Sequence, residues 1–309
     1  MRQLARLSLL LSLAVALGGC QLLVAGISAG ITGISAAIQA ELESRPVTEQ
    51  VTETPYVQTA SLQENFQILD EDLHARGYAS LGQPQDATLA TGALHDARLR
   101  LGAGECYAVA AVGEPSVSDL AIAIFDAGNH PVEGDISHGL HPVTRTCIRD
   151  PGVYTVRLYM REGQGPFRYA AYRWTRGTRG PFGVEGLLYV RVAEATALLE
   201  ARGYTPDPSF TPIKGSFRRE GAQQEHRLAI DEGGCVIVVA VGGPGVRDLD
   251  ASLATGMGPP ASDRDGGAMI ALEACASSHQ RTELSLASTR GSGEYFFQVF
   301  RRDENRPQG

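Results

Sequence analysis

Lysine is all but missing from this chain: Lys214 is the only one, and arginine supplies the rest of the 27 basic residues. That is a bias of composition before it is a sign of function. Tryptophan occurs once, at Trp174, which leaves little material for the flat aromatic platforms that stack on sugars. There is no Cys-x-x-Cys pair, the spacing that most structural zinc sites use. A phosphate-cradling glycine loop, a dinucleotide fingerprint and a paired Cys–His nucleophile are missing as well, so the sequence carries no signal for a nucleotide cofactor or for cysteine catalysis. Positive charge is also short. The 35 acidic residues outnumber the basic ones and leave a net charge of -8, which repels phosphate backbones and argues against nucleic acid as a partner.

What is present is a duplication. The stretch Cys106 to Leu120, CYAVAAVGEPSVSDL, returns between Cys235 and Leu249 as CVIVVAVGGPGVRDL, with nine of fifteen positions identical. A second repeat precedes each copy: Leu73-His74-Ala75-Arg76-Gly77-Tyr78 recurs as Leu199-Glu200-Ala201-Arg202-Gly203-Tyr204. With 309 residues and 43% hydrophobic composition the chain has room for two domains of ordinary size.

The amino-terminal residues MRQLARLSLLLSLAVALGGC combine a basic start with an apolar run from Leu7 to Leu17. This is a secretory signal, too short for a membrane span. Its ending, Leu17-Gly18-Gly19-Cys20, resembles the lipobox of bacterial lipoproteins. The resemblance implies cleavage before Cys20, lipidation of its thiol, and attachment to an envelope membrane. Gln21 in the following position, in place of aspartate, leans towards the outer membrane of a Gram-negative cell. Removing the signal, which carries Arg2 and Arg6 and no acid, leaves the remainder more acidic still.

Subtracting Cys20 from the five cysteines leaves Cys106, Cys147, Cys235 and Cys275, spaced 41 residues apart in one copy and 40 in the other. Four cysteines allow three pairings, and only Cys106–Cys147 with Cys235–Cys275 respects the duplication. In an oxidising compartment the spacing therefore predicts one disulfide inside each module.

Residues 21–43 are apolar but built from small residues, with a Gly-x-x-x-Gly spacing at Gly26 and Gly30. Spanning the membrane, lying on it and coiling away from it all remain open for this stretch. Residues 44–59 are polar with prolines, the composition of a linker. Leu62, Phe66, Leu69 and Leu73 then fall at helical spacing and predict an amphipathic helix over 62–76 that stops at Gly77. The repeat predicts a second helix over about 192–202, closed at Gly203. The rest of each copy alternates with a period of two. Leu120, Ile122 and Ile124 form one such row, and Tyr154, Val156, Leu158 and Met160 another. With Gly, Pro and Asp turns between short strands, the expected fold is mainly β. It consists of two tandem antiparallel, jelly-roll-like β-sandwich modules, each preceded by one helix. The expected plan is signal peptide 1–19, anchored segment and linker 20–60, first module 61–175 and second module 184–303.

The strand–glycine turn–Asp-Leu order, seen at Asp119-Leu120 and Asp248-Leu249-Asp250, is followed by Gly152-Val153-Tyr154-Thr155-Val156. This order resembles the bacterial pre-peptidase C-terminal domain, a small β-sandwich. The resemblance covers 94–174 and 224–301; the added cysteines depart from it. It implies a non-catalytic accessory of a secreted protein, and some relatives bind calcium.

Several constellations invite chemistry. Asp248, Asp250, Asp263 and Asp265 could supply oxygens for a calcium site, but the leading Asp appears in both copies while Asp250 is Ala121 in the first, which favours a structural strand-opening Asx-turn. His130, His138 and His141 share one loop but have no counterpart in the second copy, which favours solvated histidines over a metal centre. Gly26-Ile27-Ser28-Ala29-Gly30 matches the nucleophile pattern of serine hydrolases without the parallel sheet that pattern requires. Tyr154, Tyr159, Tyr169, Tyr172, Trp174, Tyr295 and Phe297 suit a sugar-binding face less well than they suit a core. The expectation is a non-catalytic outer-membrane lipoprotein of the cell envelope. It would be a structural or interaction module without a cofactor, meeting the membrane through its lipid and an unidentified envelope protein through its modules. A calcium- or glycan-binding surface protein is the alternative, and a hydrolase comes after it. Recognition is expected where the copies differ, in 126–141 and 256–267.

Overall fold

The computed structural model describes residues 61–135, 139–231, 234–254, 260–263, 267–276 and 278–302. Cys20, Ser28 and the anchored segment lie outside the described residues, as do His138, Asp265 and the side chain of Asp263.

Helix α1 (Leu62–Arg76) has the bounds its spacing predicts. Ser61 and Glu64 close its start as a reciprocal capping box, and Gly77 closes its end at φ 111°. Phe66, Leu69 and Leu73 form its buried stripe. Strands β1 (Tyr78–Ser80), β2 (Gln85–Leu89), β3 (Leu94–Leu101), β4 (Cys106–Gly113), β5 (Val117–Phe125), β6 (Pro131–Asp135), β7 (Val143–Cys147), β8 (Gly152–Gly163) and β9 (Gly165–Trp174) complete the first copy. A turn at Pro181–Gly183 leads into α2 (Gly186–Ala201). The second copy repeats the pattern as β10 (Tyr204–Pro206), β11 (Ile213–Phe217), β12 (Gln223–Ile230), β13 (Cys235–Gly242), β14 (Val246–Ala254), β15 (Ala261–Asp263), β16 (Met269–Cys275), β17 (Gln280–Gly291) and β18 (Gly293–Arg302).

Each copy is a β-sandwich. One sheet runs β3-β8-β5-β6 and the other β1-β9-β4-β7 with β2 also paired to β9; the second copy has β12-β17-β14-β15 and β10-β18-β13-β16 with β11 on β18. Setting aside the short strand after each helix, the eight body strands run first–eighth–third–sixth in one sheet and second–seventh–fourth–fifth in the other. That is jelly-roll order. Among the described residues all strand pairings are antiparallel.

The repeated stretch owes its character to its place. In β4, Tyr107, Val109 and Ala111 face the sandwich core while Cys106, Ala108, Ala110 and Val112 face α1. In β13, Val236, Val238 and Ala240 face the core while Ile237, Val239 and Val241 face α2. A strand buried on both faces reads as an apolar run instead of an alternating one.

Helix α2 begins six residues before the expected Val192. Leu188, Ala195 and Leu199 pack on the second copy's inner sheet, whereas Val190 and Ala193 join the cluster under the first copy's inner sheet. Covered from both sides, the helix shows no polar face for periodicity to detect. The order of layers is therefore sheet, sheet, helices, sheet, sheet.

Candidate functional site

Positions shared by the two copies come first, because a site belonging to the fold would be built from them. The disulfides Cys106–Cys147 and Cys235–Cys275 are both present. Each joins residues directly opposite one another, on β4 and β7 and on β13 and β16. Among the described residues, Cys235, Cys275 and Glu273 bring three metal-ligand atoms within 4.8 Å of one another. Both sulfurs are committed to the disulfide, so the group does not amount to a metal centre.

Asp119 and Asp248 do not open their strands. Each is the third residue of its strand and sits in a β-bulge, where the register slips against β8 and β17. Asp119 is buried and ion-paired with Arg161 Nη2 at 2.7 Å. Asp248 lies opposite Arg290, and its Oδ1 is buried with no hydrogen-bond partner among the described residues. In the first copy the aspartate thus makes an ion pair across the bulge. The bulge needs glycine on the facing strand. Gly163 (φ +83°) and Gly291 (φ +86°) would bring a Cβ within 2.4 Å of the Ser116 carbonyl and 2.0 Å of the Gly245 carbonyl. Asp250 stands two residues on in β14, and β15 pairs Asp263 with Ala251 through the backbone.

Of the loop histidines, His130 is exposed and bonded locally: its amide donates to Asp126 Oδ1 at 2.8 Å, and its Nδ1 lies 3.2 Å from Oδ2. That backbone hydrogen bond holds the Asp126 carboxyl below its ordinary pKa. Two other histidines, which no sequence motif marks, tie the sheets together. His95 Nε2 meets Tyr169 Oη at 3.0 Å, and Tyr169 in turn donates to Gln85 at 2.6 Å. His226 Nε2 meets Tyr295 Oη at 3.0 Å, and burial lowers its pKa. Since His226 occupies the register position of Ala97, not of His95, no repeat in the sequence marks the pair. Of the seven strand aromatics singled out above, only Tyr159 is exposed; the rest are buried.

The densest electrostatics lie in the helix layer. Glu194 of α2 has no exposed side-chain surface and meets Arg145 of β7, with Nε 2.7 Å from Oε2 and 3.0 Å from Oε1. Burial, the largest single influence, works against the charge of Arg145, but Glu194, Tyr78 and Asp135 together outweigh it and the pKa rises. Tyr78 is pushed well above the ordinary phenol range, first by burial and then by Glu194. Arg191 donates to the carbonyls of Gly242 (2.6 Å) and Gly243 (3.4 Å) in the second copy, and its Nη2 stands 3.8 Å from Glu133 of β6 in the first. Burial lowers Arg191 and raises Glu133, and each partly offsets the shift of the other. The sequence shows only that Arg191 and Glu194 stand in the largely apolar stretch GLLYVRVAEATALLEA; their partners Glu133 and Arg145 come from elsewhere in the chain.

No family model and no characterised protein matches this sequence. Among solved structures, the CBM22-1–CBM22-2 tandem domain from Paenibacillus barcinonensis Xyn10C aligns over 73% of this chain and 93% of its own, with 8% identity and a TM-score of 0.22. A chain of the Sulfolobus Turreted Icosahedral Virus aligns over 74% of this chain and 93% of its own, with 9% identity and a TM-score of 0.21. At such scores the β-sandwich assignment rests on the strand order of this chain alone.

Proposed function

We propose that the protein is a lipid-anchored component of the Gram-negative outer membrane whose paired sandwiches act as a non-catalytic interaction module. The observation that carries the non-catalytic reading is the use the fold makes of the duplicated residues. The cysteines form bridges, the Val and Ala positions fill a strand buried on both faces, and the aspartates and facing glycines build a bulge. What the copies share is spent on folding, and a fold of this kind displays its function in what differs. The lipobox ending at Cys20, the resemblance to a secreted accessory domain and the paired disulfides support an envelope location.

Fractionation of cells expressing Cys20→Ser tests the anchor. The wild-type chain is expected in the membrane pellet and the variant in the soluble fraction; a variant that stays in the pellet overturns lipid anchoring.

The buried Oδ1 of Asp248, with no hydrogen-bond partner among the described residues, favours a second reading, a calcium site begun by Asp248 with Asp250 two residues on. Calorimetric titration with calcium decides it. Heat that vanishes in Asp248→Asn and Asp250→Asn supports the site, and no heat at millimolar calcium removes it.

A further inference from the structure

We propose that the outer sheet of the first sandwich is a docking face for an anionic lipid bilayer. The argument starts from register, because residues directly opposite in an antiparallel pair project from the same face. On β3, β5 and β8 the outward positions include Leu94, Tyr159, Phe125 and Val153, together with Arg98 and Arg100. The register-equivalent positions of the second sandwich are Gln223, Ala287, Ala254, Arg281, Arg227 and Ala229. In the centre, Ala121 and Ala123 of the first copy become Asp250 and Ser252 in the second. Both faces carry arginines, but where the first sets Leu94, Tyr159, Phe125 and Val153 the second has Gln223, Ala287, Ala254 and Arg281, so large apolar groups stand on this face in one copy and small or polar ones in the other.

Exposure sharpens the contrast. Leu94 is 55% exposed, Val153 40% and Tyr159 38%, and Leu94 lies directly opposite Tyr159. The charge is one-sided too. Arg157 is answered by Asp96 through two bonds of 2.8 Å, and it also covers the Phe125 ring. Arg98 faces Thr155 and Arg100 faces Val153, and neither has a carboxylate partner among the described residues. In the second copy Arg227 stands opposite Glu283, where Arg98 has Thr155. A chain with a net charge of -8 thus displays unanswered positive charge beside exposed aliphatic and phenolic groups.

That combination matches the membrane interface. Guanidinium groups hold lipid phosphates by paired hydrogen bonds, aliphatic side chains enter the acyl boundary, and tyrosine sits at the headgroup level. A sugar would want flat stacking surfaces, and among the strand aromatics only Tyr159 is exposed to offer one. The inference deepens the envelope reading and rests on it for a membrane within reach. It gives the lipid anchor a purpose: one sandwich held down on the bilayer, the other left facing away from it chemically.

Vesicle co-sedimentation tests the face. The probe is the full chain carrying Cys20→Ala, so that acylation makes no contribution, mixed with phosphatidylcholine vesicles or with vesicles also containing phosphatidylglycerol. Binding is expected to require phosphatidylglycerol, to weaken with salt, and to fall about tenfold or more in Arg98→Glu/Arg100→Glu. Arg227→Glu/Arg281→Glu changes net charge equally on the second sandwich and is expected to leave binding unchanged. An equal loss in both double variants would overturn the proposal, as would binding indifferent to lipid charge or no binding to either vesicle. So would a lipid-independent dimer that Arg98→Glu/Arg100→Glu dissolves, which would assign the face to a second copy. Since Cys20 is replaced throughout, failure here leaves the fractionation test of the anchor untouched.

Discussion

Glu194 shows how much can hang on one side chain. Its carboxylate is fully buried against Arg145, between two sheets that belong to different copies. Removing one member of such a pair leaves the other charge stranded in a poorly polarisable layer, and the loss exceeds the net worth of the pair itself. Glu194→Ala is therefore expected to destabilise the protein by about 3–5 kcal/mol. Arg145→Leu with Glu194→Leu should restore most of that loss, because the desolvation cost leaves with both charges. Denaturant titration of the three proteins checks this. A double variant as unstable as the single would mean that shape, not charge, is what the layer requires.

At the scale of elements, the glycines opposite the bulges carry the sharpest expectation. Gly92 and Gly163 have similar positive φ values, +79° and +83°, but a Cβ on Gly92 meets open space whereas one on Gly163 meets the Ser116 carbonyl at 2.4 Å. Gly92→Ala should cost about 1 kcal/mol, the ordinary left-handed penalty. Gly163→Ala should cost roughly 3 kcal/mol, since β5 and β8 cannot both keep their positions around the added methyl. Equal losses in urea unfolding would show that the bulge yields. The bulge also explains why the sequence presents the leading aspartates as strand openers. Asp-Leu after a glycine turn looks the same in sequence whether the strand begins there or two residues earlier, and only the pairing across β8 reveals the slipped register.

On the scale of the whole molecule, α2 decides how the copies relate. Its Leu188, Ala195 and Leu199 serve one sandwich and its Val190 and Ala193 the other. Elements that share a buried helix are expected to unfold together. The chain should therefore show one calorimetric transition, and Val190→Asp, which sets a charge in the first sandwich's helix-facing cluster, should split it into two. Two separate transitions in the wild-type chain would contradict a shared layer.

Much of this was open to reading in advance, and for definite reasons. Duplication made the disulfide pairing a matter of spacing. The row Phe66, Leu69, Leu73 placed α1, because that helix buries one face and leaves the other wet. Period-two rows such as Val156, Leu158 and Met160 marked sandwich strands for the same reason. These features depend on local periodicity or on the likeness of one copy to the other, which a sequence contains by itself. The early start of α2, the Arg145–Glu194 pair, the His–Tyr ties and the one-sided face of β3, β5 and β8 do not. Each depends on which residues from distant parts of the chain come to lie opposite one another, and that is settled only when sheets stack and registers lock.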